Sequence, residues 1–337
     1  MSFYITKKAI ILPALIFSVI PFYTAKKILL SNTTLRTANA SHQTASIDTI
    51  SYNNRMKHLA NGDKTGRWPP ADVIPLEGAL LPFNRIVAYY GNFYSTQMGI
   101  LGQYPIDKVL AKLNSEVQLW RNADSLTPVI PAIHYIAVTA QGRAGKDGTY
   151  RLRMPSIEID KAIAAAKQVN GIVFLDVQVG LGKLQSELPA LKKYLVLPQV
   201  HLGIDAEYAM KNGRPPGTCL GTFDATDINF ASGYLAQLVN ENNLPPKILV
   251  VHRFVNSMLT NYKNINRCSQ VQIVINMDGW GPSQKKKDSY YQAVFKEPVQ
   301  FTGFKLFYKN DAQKGSKLMS PAEILKLVPQ PIYIQYQ

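Results

Sequence analysis

The sequence predicts an α/β protein: a single-domain (β/α)8 barrel of the TIM type that follows an N-terminal export segment. Three observations support this fold. Eight short runs rich in β-branched residues are separated by segments with helical periodicity. Together they extend over about 250 residues, the usual size of such a barrel. Hydrophobic residues make up 46% of the 337 and charged residues only 18%, which suffices for one large core.

The eight strands are predicted from short runs that contain many β-branched residues. In chain order they are Arg85–Tyr90, Val129–Ile136, Ile172–Gln178, Val200–Glu207, Ile248–Phe254, Val271–Asp278, Phe301–Phe307 and Ile332–Tyr336. A doubly wound open sheet is the alternative fold, because periodicity does not show whether the last strand pairs with the first.

Helices are predicted between these strands, where apolar residues recur at helical spacing and Pro or Asp stands near the start. The clear ones are Pro105–Asn122, Pro155–Val169, Leu184–Leu195, Ala225–Asn242 and Gln284–Phe295. Shorter helices are expected at Ser257–Asn264 and Pro321–Leu327.

Residues 1–40 have the features of an export segment. Lys7 and Lys8 precede an apolar run over 9–25, and the small residues of 38–40 have the spacing that a signal peptidase recognises. Two further lysines close the run, which is near the minimum of about 17 residues for a membrane span, so an N-terminal membrane anchor is the alternative. Either way, we expect an extracytoplasmic protein, secreted or anchored to the membrane.

Residues 41–70 are polar and lack sustained periodicity, which predicts a flexible linker before a barrel domain at 71–337.

The formal net charge of +15 excludes an acidic disordered chain. Residues 71–337 contain no arginine-rich arm, so we expect no nucleic-acid partner. A carbohydrate or another cell-envelope polymer is the expected partner.

Strand alternation indicates where chemistry would occur. In the fourth predicted strand, Val200, Leu202, Ile204 and Ala206 share one face, and His201, Gly203, Asp205 and Glu207 share the other, which must point into the barrel. Polar groups near the C-terminal ends of other strands include Asp176, Gln178, His252, Arg253, Asn276, Asp278 and Lys305. Active sites of this fold are built at that end, so we expect a functional pocket there.

The pair Asp205 and Glu207 is the sharpest motif. Two carboxyl groups on one strand face couple electrostatically, which raises the pKa of one of them and provides the protonated acid that glycoside hydrolysis needs. This D-x-E motif on strand four resembles that of chitinase-like and lysozyme-like glycoside hydrolases. The resemblance implies that Glu207 is the general acid and that Asp205 assists it. Chitinases carry a longer acidic run before the motif and a Trp on strand eight, whereas this chain has His201–Ile204 and Tyr336 there.

The remaining roles follow from position. Asp278 or Asp176 is the expected base or nucleophile opposite Glu207. The expected substrate-binding residues are Tyr90, Gln178, Tyr208, His252, Arg253, Asn276, Trp280 and Lys305. Asp205, Glu207, His252 and Asp278 include metal-ligand types, but no H-x-H or H-E-x-x-H motif accompanies them, so we expect no metal ion and no cofactor.

Several segments are together similar to an uncharacterised family of exported bacterial proteins, over residues 84–337. They are 87–91, 174–178, 205–207, 251–254 and 303–307. The prediction is an exported hydrolase with carboxylate acid/base chemistry on an envelope or extracellular glycan. The alternatives are a non-catalytic glycan- or envelope-binding barrel, and a phosphodiesterase that uses His201, His252 and Lys305.

Overall fold

The structure, a computed structural model, describes residues 47–71, 73–313 and 315–337. Within them, eight parallel strands close into a barrel in the order β1-β8-β7-β6-β5-β4-β3-β2, and β2 pairs with β1. The strands are β1 (Arg85–Gly91), β2 (Val129–Ala140), β3 (Ile172–Val177), β4 (Val200–Asp205), β5 (Lys247–Arg253), β6 (Val271–Met277), β7 (Phe301–Leu306) and β8 (Tyr333–Tyr336). This closure confirms the predicted barrel and excludes the open sheet. The predicted export segment, residues 1–40, lies outside the described residues.

The helices of the described residues are α1 (Thr49–Leu59), α2 (Ile106–Ala123), α3 (Ser156–Gln168), α4 (Leu184–Glu187), α5 (Lys192–Leu195), α6 (Ala225–Asn242), α7 (Ser283–Tyr290) and α8 (Pro321–Ile324). The predicted helix 184–195 is divided by a 3-10 turn at Pro189–Leu191, because proline lacks the N–H that would continue it. The predicted helix 257–264 is wrong: the chain there forms a short strand, Leu259–Thr260, between two 3-10 turns.

Alternate residues of each strand belong to two different cores. Val200, Leu202 and Ile204 lie in the core between the strands and the outer helices. Phe174 and Val250 belong to the core inside the barrel. The faces predicted for the fourth strand are therefore confirmed as far as Asp205, and the polar residues of its other face point into the barrel. Ala206 and Glu207, predicted as strand residues, instead form a 3-10 turn.

Helix α1 contributes to the core inside the barrel, together with the first residues of several strands. Tyr52, Met56 and Leu59 are buried there, and Leu59 O accepts a hydrogen bond from Gln330 N at 2.7 Å. The predicted flexible linker over 41–70 is thus wrong for residues 49–59. The reason is visible in the sequence, since the three buried side chains recur at helical spacing. Among residues 47–71, 73–313 and 315–337, no helix has the length and apolar character needed to cross a membrane.

Candidate active site

A cavity of about 710 Å³ lies at the C-terminal ends of the strands. This is the end at which barrels of this type carry their active sites. The predicted site residues that line it are Tyr90, Gln178, Asp205, Glu207, Tyr208, Asp278, Trp280 and Lys305. The structure therefore brings three of the four predicted catalytic carboxyl groups to one cavity.

Asp205 positions Glu207 through the backbone. Strand β4 ends at Asp205, and the chain turns into a single 3-10 turn, Ala206–Tyr208. The Asp205 side chain caps this turn: its Oδ1 accepts a hydrogen bond from Glu207 N at 3.0 Å. Its Oδ2 accepts another from Gln178 Nε2 at 3.2 Å. These contacts fix Asp205 at the cavity wall and place the Glu207 side chain beside it.

The surroundings of the two carboxyl groups favour their protonated forms. Burial raises the pKa of Glu207 to about 7, and the charge of Asp278 adds to this effect, while Lys305 and His252 oppose it. Burial raises the pKa of Asp205 well above its usual range, and neighbouring carboxylates add to this rise. Glu207, which is only half-buried, can therefore hold and release a proton near neutral pH.

Lys305 brings a positive charge to the same wall. It is 4% exposed, and its Nζ lies 3.7 Å from the centroid of the Tyr90 ring. Burial lowers the pKa of Lys305, while the charges of Asp278, Asp205 and other nearby carboxylates oppose this effect. The lysine thus partly balances the acidic groups of the cavity.

Asp278 has a buried basic partner. It follows β6, and its Oδ2 lies 3.2 Å from Nδ1 of His252. Burial alone would lower the pKa of His252, but the charges of Asp176 and Asp278 outweigh it and raise this pKa to about 10. The two carboxylates therefore favour the protonated form of His252.

A group of three buried residues, the floor cluster, lies among the inward-facing side chains: His134, Asp176 and His252. Asp176 Oδ1 is 3.3 Å from His134 Nε2 and 3.5 Å from His252 Nε2, and all three residues are 0% exposed. The hydroxyl of Tyr90 donates a hydrogen bond to Asp176 Oδ2 at 3.0 Å. None of the three lines the cavity.

This burial corrects three of the sequence predictions. Asp176, expected as base or nucleophile, is not among the residues that line the cavity. His252 and Asn276, expected to bind substrate, are both 0% exposed and also lie off the wall. All three face inward as predicted, but they are buried and do not line the cavity.

A glycine gives the floor cluster its room. A Cβ atom at Gly203 would lie 2.4 Å from His134 Nε2 and 2.5 Å from Asp176 Oδ1. Both distances are far below van der Waals contact, so no other residue fits beside this cluster unless it moves. The lack of a side chain at Gly203, on the inward face of β4, therefore allows His134 to lie close to Asp176.

Arg253, predicted to bind substrate, is 0% exposed and does not line the cavity. Its guanidinium pairs with Glu297 and donates hydrogen bonds to the carbonyl oxygens of Ala293 at 3.0 Å and Asn256 at 2.9 Å. Strand alternation explains the error, because His252 faces the barrel interior and its neighbour must face the helices. Arg253 therefore holds the segment after β5 against the helical segment that follows β6.

We expect Arg253→Leu to lower the free energy of unfolding by about 3–5 kcal/mol, because it leaves Glu297 and several carbonyl groups without their buried partner. Chemical denaturation of the full chain measures this change. The control is Arg143→Leu, an exposed arginine whose replacement changes stability by about 0.5 kcal/mol or less. A loss below about 1 kcal/mol for Arg253→Leu would mean that the ion pair is not structural.

Sequence reasoning also missed residues of this region. His134 lies on β2, where the alternation of Ala132, His134 and Ile136 indicates an inward face. Further residues of the cavity wall come from loops, where no periodicity exists (Gln97, Met98, Phe254 and Phe307), and from helix α7 (Lys285 and Lys286). His201 is 1% exposed, and its Nδ1 accepts a hydrogen bond from Ile248 N at 3.1 Å. The phosphodiesterase alternative loses support, since neither His201 nor His252 lines the cavity.

Comparisons with known proteins return similar barrels only at low similarity. A GH18 chitinase from Pseudoalteromonas aurantia is 10% identical, with a TM-score of 0.35, over 75% of this chain and 94% of that chain. The Bacillus subtilis mannanase BCman is 13% identical, with a TM-score of 0.38, over 87% of this chain and 86% of that one. A sugar phosphate isomerase/epimerase from Parabacteroides distasonis is 10% identical, with a TM-score of 0.33, over 80% and 90%.

No protein-family model and no curated protein sequence matches the chain. A barrel shape at this level of similarity is shared by enzymes with unrelated reactions. The residues of the cavity, and not the barrel shape, therefore indicate the function.

Proposed function

We propose that this protein is an exported glycoside hydrolase that acts on an envelope or extracellular glycan. The observation that carries the proposal is the pair of carboxyl groups, Glu207 and Asp278, on the wall of one cavity at the C-terminal end of the barrel. Their surroundings differ, since burial favours a proton on Glu207, while Nδ1 of His252 lies 3.2 Å from Asp278. A proton donor and a carboxylate in one cleft are the two groups that glycoside hydrolysis requires.

The reaction assigns one role to each group. Glu207 donates its proton to the glycosidic oxygen as the bond from that oxygen to the anomeric carbon breaks. As that bond breaks, Asp278 either removes a proton from the water that attacks the anomeric carbon or attacks this carbon itself, depending on the separation of the two carboxyl groups. In the second case, water that Glu207 deprotonates then hydrolyses the glycosyl ester and releases Asp278. Asp205 holds the turn that carries Glu207.

The proposal that the protein is exported rests on the lysines, the apolar run and the small residues of positions 1–40.

A screen of the purified full chain against polysaccharides tests this proposal. The panel contains α- and β-linked glucans, mannans, galactans, chitin and peptidoglycan, and the assay counts new reducing ends. Release from at least one polymer supports the proposal. Saturable binding to a polymer without any release, over a broad pH range, would instead establish a glycan-binding barrel.

The pH profile gives a second test. Because Glu207 must be protonated to act as the acid, kcat/KM should fall as the pH rises through about 7. Lys305 lowers the pKa of Glu207, so Lys305→Met should move this basic limb upward by about one pH unit. The matched control is Lys285→Met, which removes a cation from the same cavity and leaves the limb in place. An unmoved limb in Lys305→Met would show that another group titrates there.

Trp280 offers an exposed aromatic face for a sugar ring. It lines the cavity and is 53% exposed. We expect Trp280→Ala to raise KM roughly 2- to 12-fold with little change in kcat, because stacking contributes about 0.5–1.5 kcal/mol to binding. Tyr291→Ala is the control, since Tyr291 is also exposed, at 48%, but does not line the cavity. Equal values of KM in Trp280→Ala and the wild type would remove Trp280 from the binding surface.

A further inference from the structure

The floor cluster has three buried polar atoms that lie close together without a hydrogen bond between them. They are Nε2 of His134, Oδ1 of Asp176 and Nε2 of His252, and none of them makes a hydrogen bond in the structure. These atoms lie within 4.8 Å of one another. Unpaired buried polar groups are costly, so an arrangement of three at one point needs an explanation.

The opposite side of each of these side chains is, by contrast, held by a partner. Nδ1 of His134 is 2.6 Å from the hydroxyl of Tyr333, and Asp176 Oδ2 accepts a hydrogen bond from Tyr90. Nδ1 of His252 is 3.2 Å from Asp278 Oδ2. Metal-binding histidines and carboxylates typically have such outer partners, which fix the tautomer and direct the free atom at the ion.

The spacing of the free atoms also fits a shared ion. Two ligand atoms at about 2.0–2.1 Å from a tetrahedral ion are about 3.3–3.4 Å apart. Asp176 Oδ1 lies 3.3 Å from one imidazole nitrogen and 3.5 Å from the other. Both contacts are within ion-pair distance, but neither meets the geometry of a hydrogen bond.

We propose that His134, Asp176 and His252 bind one divalent transition-metal ion of the zinc type inside the barrel. Two imidazole nitrogens and one carboxylate oxygen suit such an ion and do not suit magnesium or calcium, which prefer oxygen ligands. The three ligands come from three different strands, so no short sequence motif contains them. For this reason the sequence predicted no metal ion. The proposal is independent of the proposed function.

The site would also orient a group of the cavity. With its Nε2 on the ion, His252 keeps its proton on Nδ1 and donates it to Asp278 Oδ2. The ion would therefore fix the tautomer of His252 and, through it, the position of the Asp278 carboxylate. It would not touch a substrate in the cavity, because no ligand of the floor cluster lines the wall.

Titration of the chelator-treated full chain with cobalt(II) at mildly alkaline pH tests the site. Cobalt in a site of low coordination number gives strong visible absorption, and we expect saturation at one ion per chain and displacement by zinc. His134→Asn and His252→Asn each remove Nε2 but keep an amide near the position of Nδ1, and should weaken binding by more than about 100-fold. Asp278→Asn removes an outer partner only and should weaken it by about 10- to 100-fold.

His201→Asn is the matched control, because it removes another buried imidazole of the barrel interior outside the cluster and should keep full binding. If the ligand variants do not fold, the wild type still decides the matter: zinc should raise its melting temperature with saturation at one equivalent, whereas magnesium should not. Absence of cobalt and zinc binding by the folded wild type, or equal loss in His201→Asn, would overturn the proposal. Glu207→Gln should bind cobalt normally, so failure of hydrolysis and failure of the metal site are separable.

Discussion

Glu207→Gln is expected to abolish hydrolysis while glycan binding persists. Glutamine has nearly the same shape as glutamate but carries no proton that it can transfer to a leaving oxygen. Removal of a general acid typically costs about 10²–10⁴-fold in kcat. The measurement is the initial rate of reducing-end release on a polymer found in the screen, together with the dissociation constant of a short oligosaccharide for wild type and variant.

A matched control separates this effect from a general loss of charge. Glu77→Gln replaces an exposed glutamate that does not line the cavity, and its rate should equal that of the wild type. A substrate with an activated leaving group adds a second criterion, because it needs no proton and should be cleaved by Glu207→Gln at nearly the wild-type rate of bond breaking. Retention of more than about a tenth of the activity on a natural polymer would remove Glu207 from the role of acid.

Strand alternation predicted which side chains enter the barrel, and it did so from very local information. In β4 the residues that face the helices are all apolar, so His201, Gly203 and Asp205, which alternate with them, must lie on the face that points into the barrel. The same rule applied to β5 would have excluded Arg253, because it is adjacent in sequence to the inward residue His252.

The depth of an inward residue could not be predicted. Asp205 pairs with His252 and His252 pairs with Asn276 across neighbouring strands, yet only Asp205 lines the cavity. Depth depends on the stagger of tilted strands around the closed barrel and on which loops cover each strand end. A single sequence contains no direct record of that register. Strand alternation therefore predicts Asp176 at the cavity, whereas in the structure this residue is buried against Tyr90.

The N-terminal helix shows a different limit. The apolar residues Tyr52, Met56 and Leu59 recur at helical spacing, but the rest of the segment is polar enough to be typical of a linker. What makes α1 part of the domain is the apolar end of the barrel that it covers, which comes from distant strands. A marginal local pattern becomes a stable helix when such a surface is available.

Asp278→Asn is expected to lower kcat by about 10²–10⁴-fold, comparable to the loss in Glu207→Gln, because no other carboxylate of the cavity wall is free to take its place. Asp205 is held by Gln178 and by the Glu207 backbone, and burial favours its protonated form. The full chain is assayed with and without sodium azide on the same substrate. Asp160→Asn, an exposed aspartate on α3, is the control and should retain the wild-type rate.

Azide then identifies the missing group. It is a small anionic nucleophile that fits the space left by the lost charge, and it should restore part of the rate in Asp278→Asn by forming a glycosyl azide of inverted anomeric configuration. The configuration of the wild-type product decides whether Asp278 acts as nucleophile, with retention, or as base, with inversion. Rescue of Asp176→Asn by azide, without rescue of Asp278→Asn, would contradict the assignment, since it would require Asp176, which is 0% exposed, to reach the substrate.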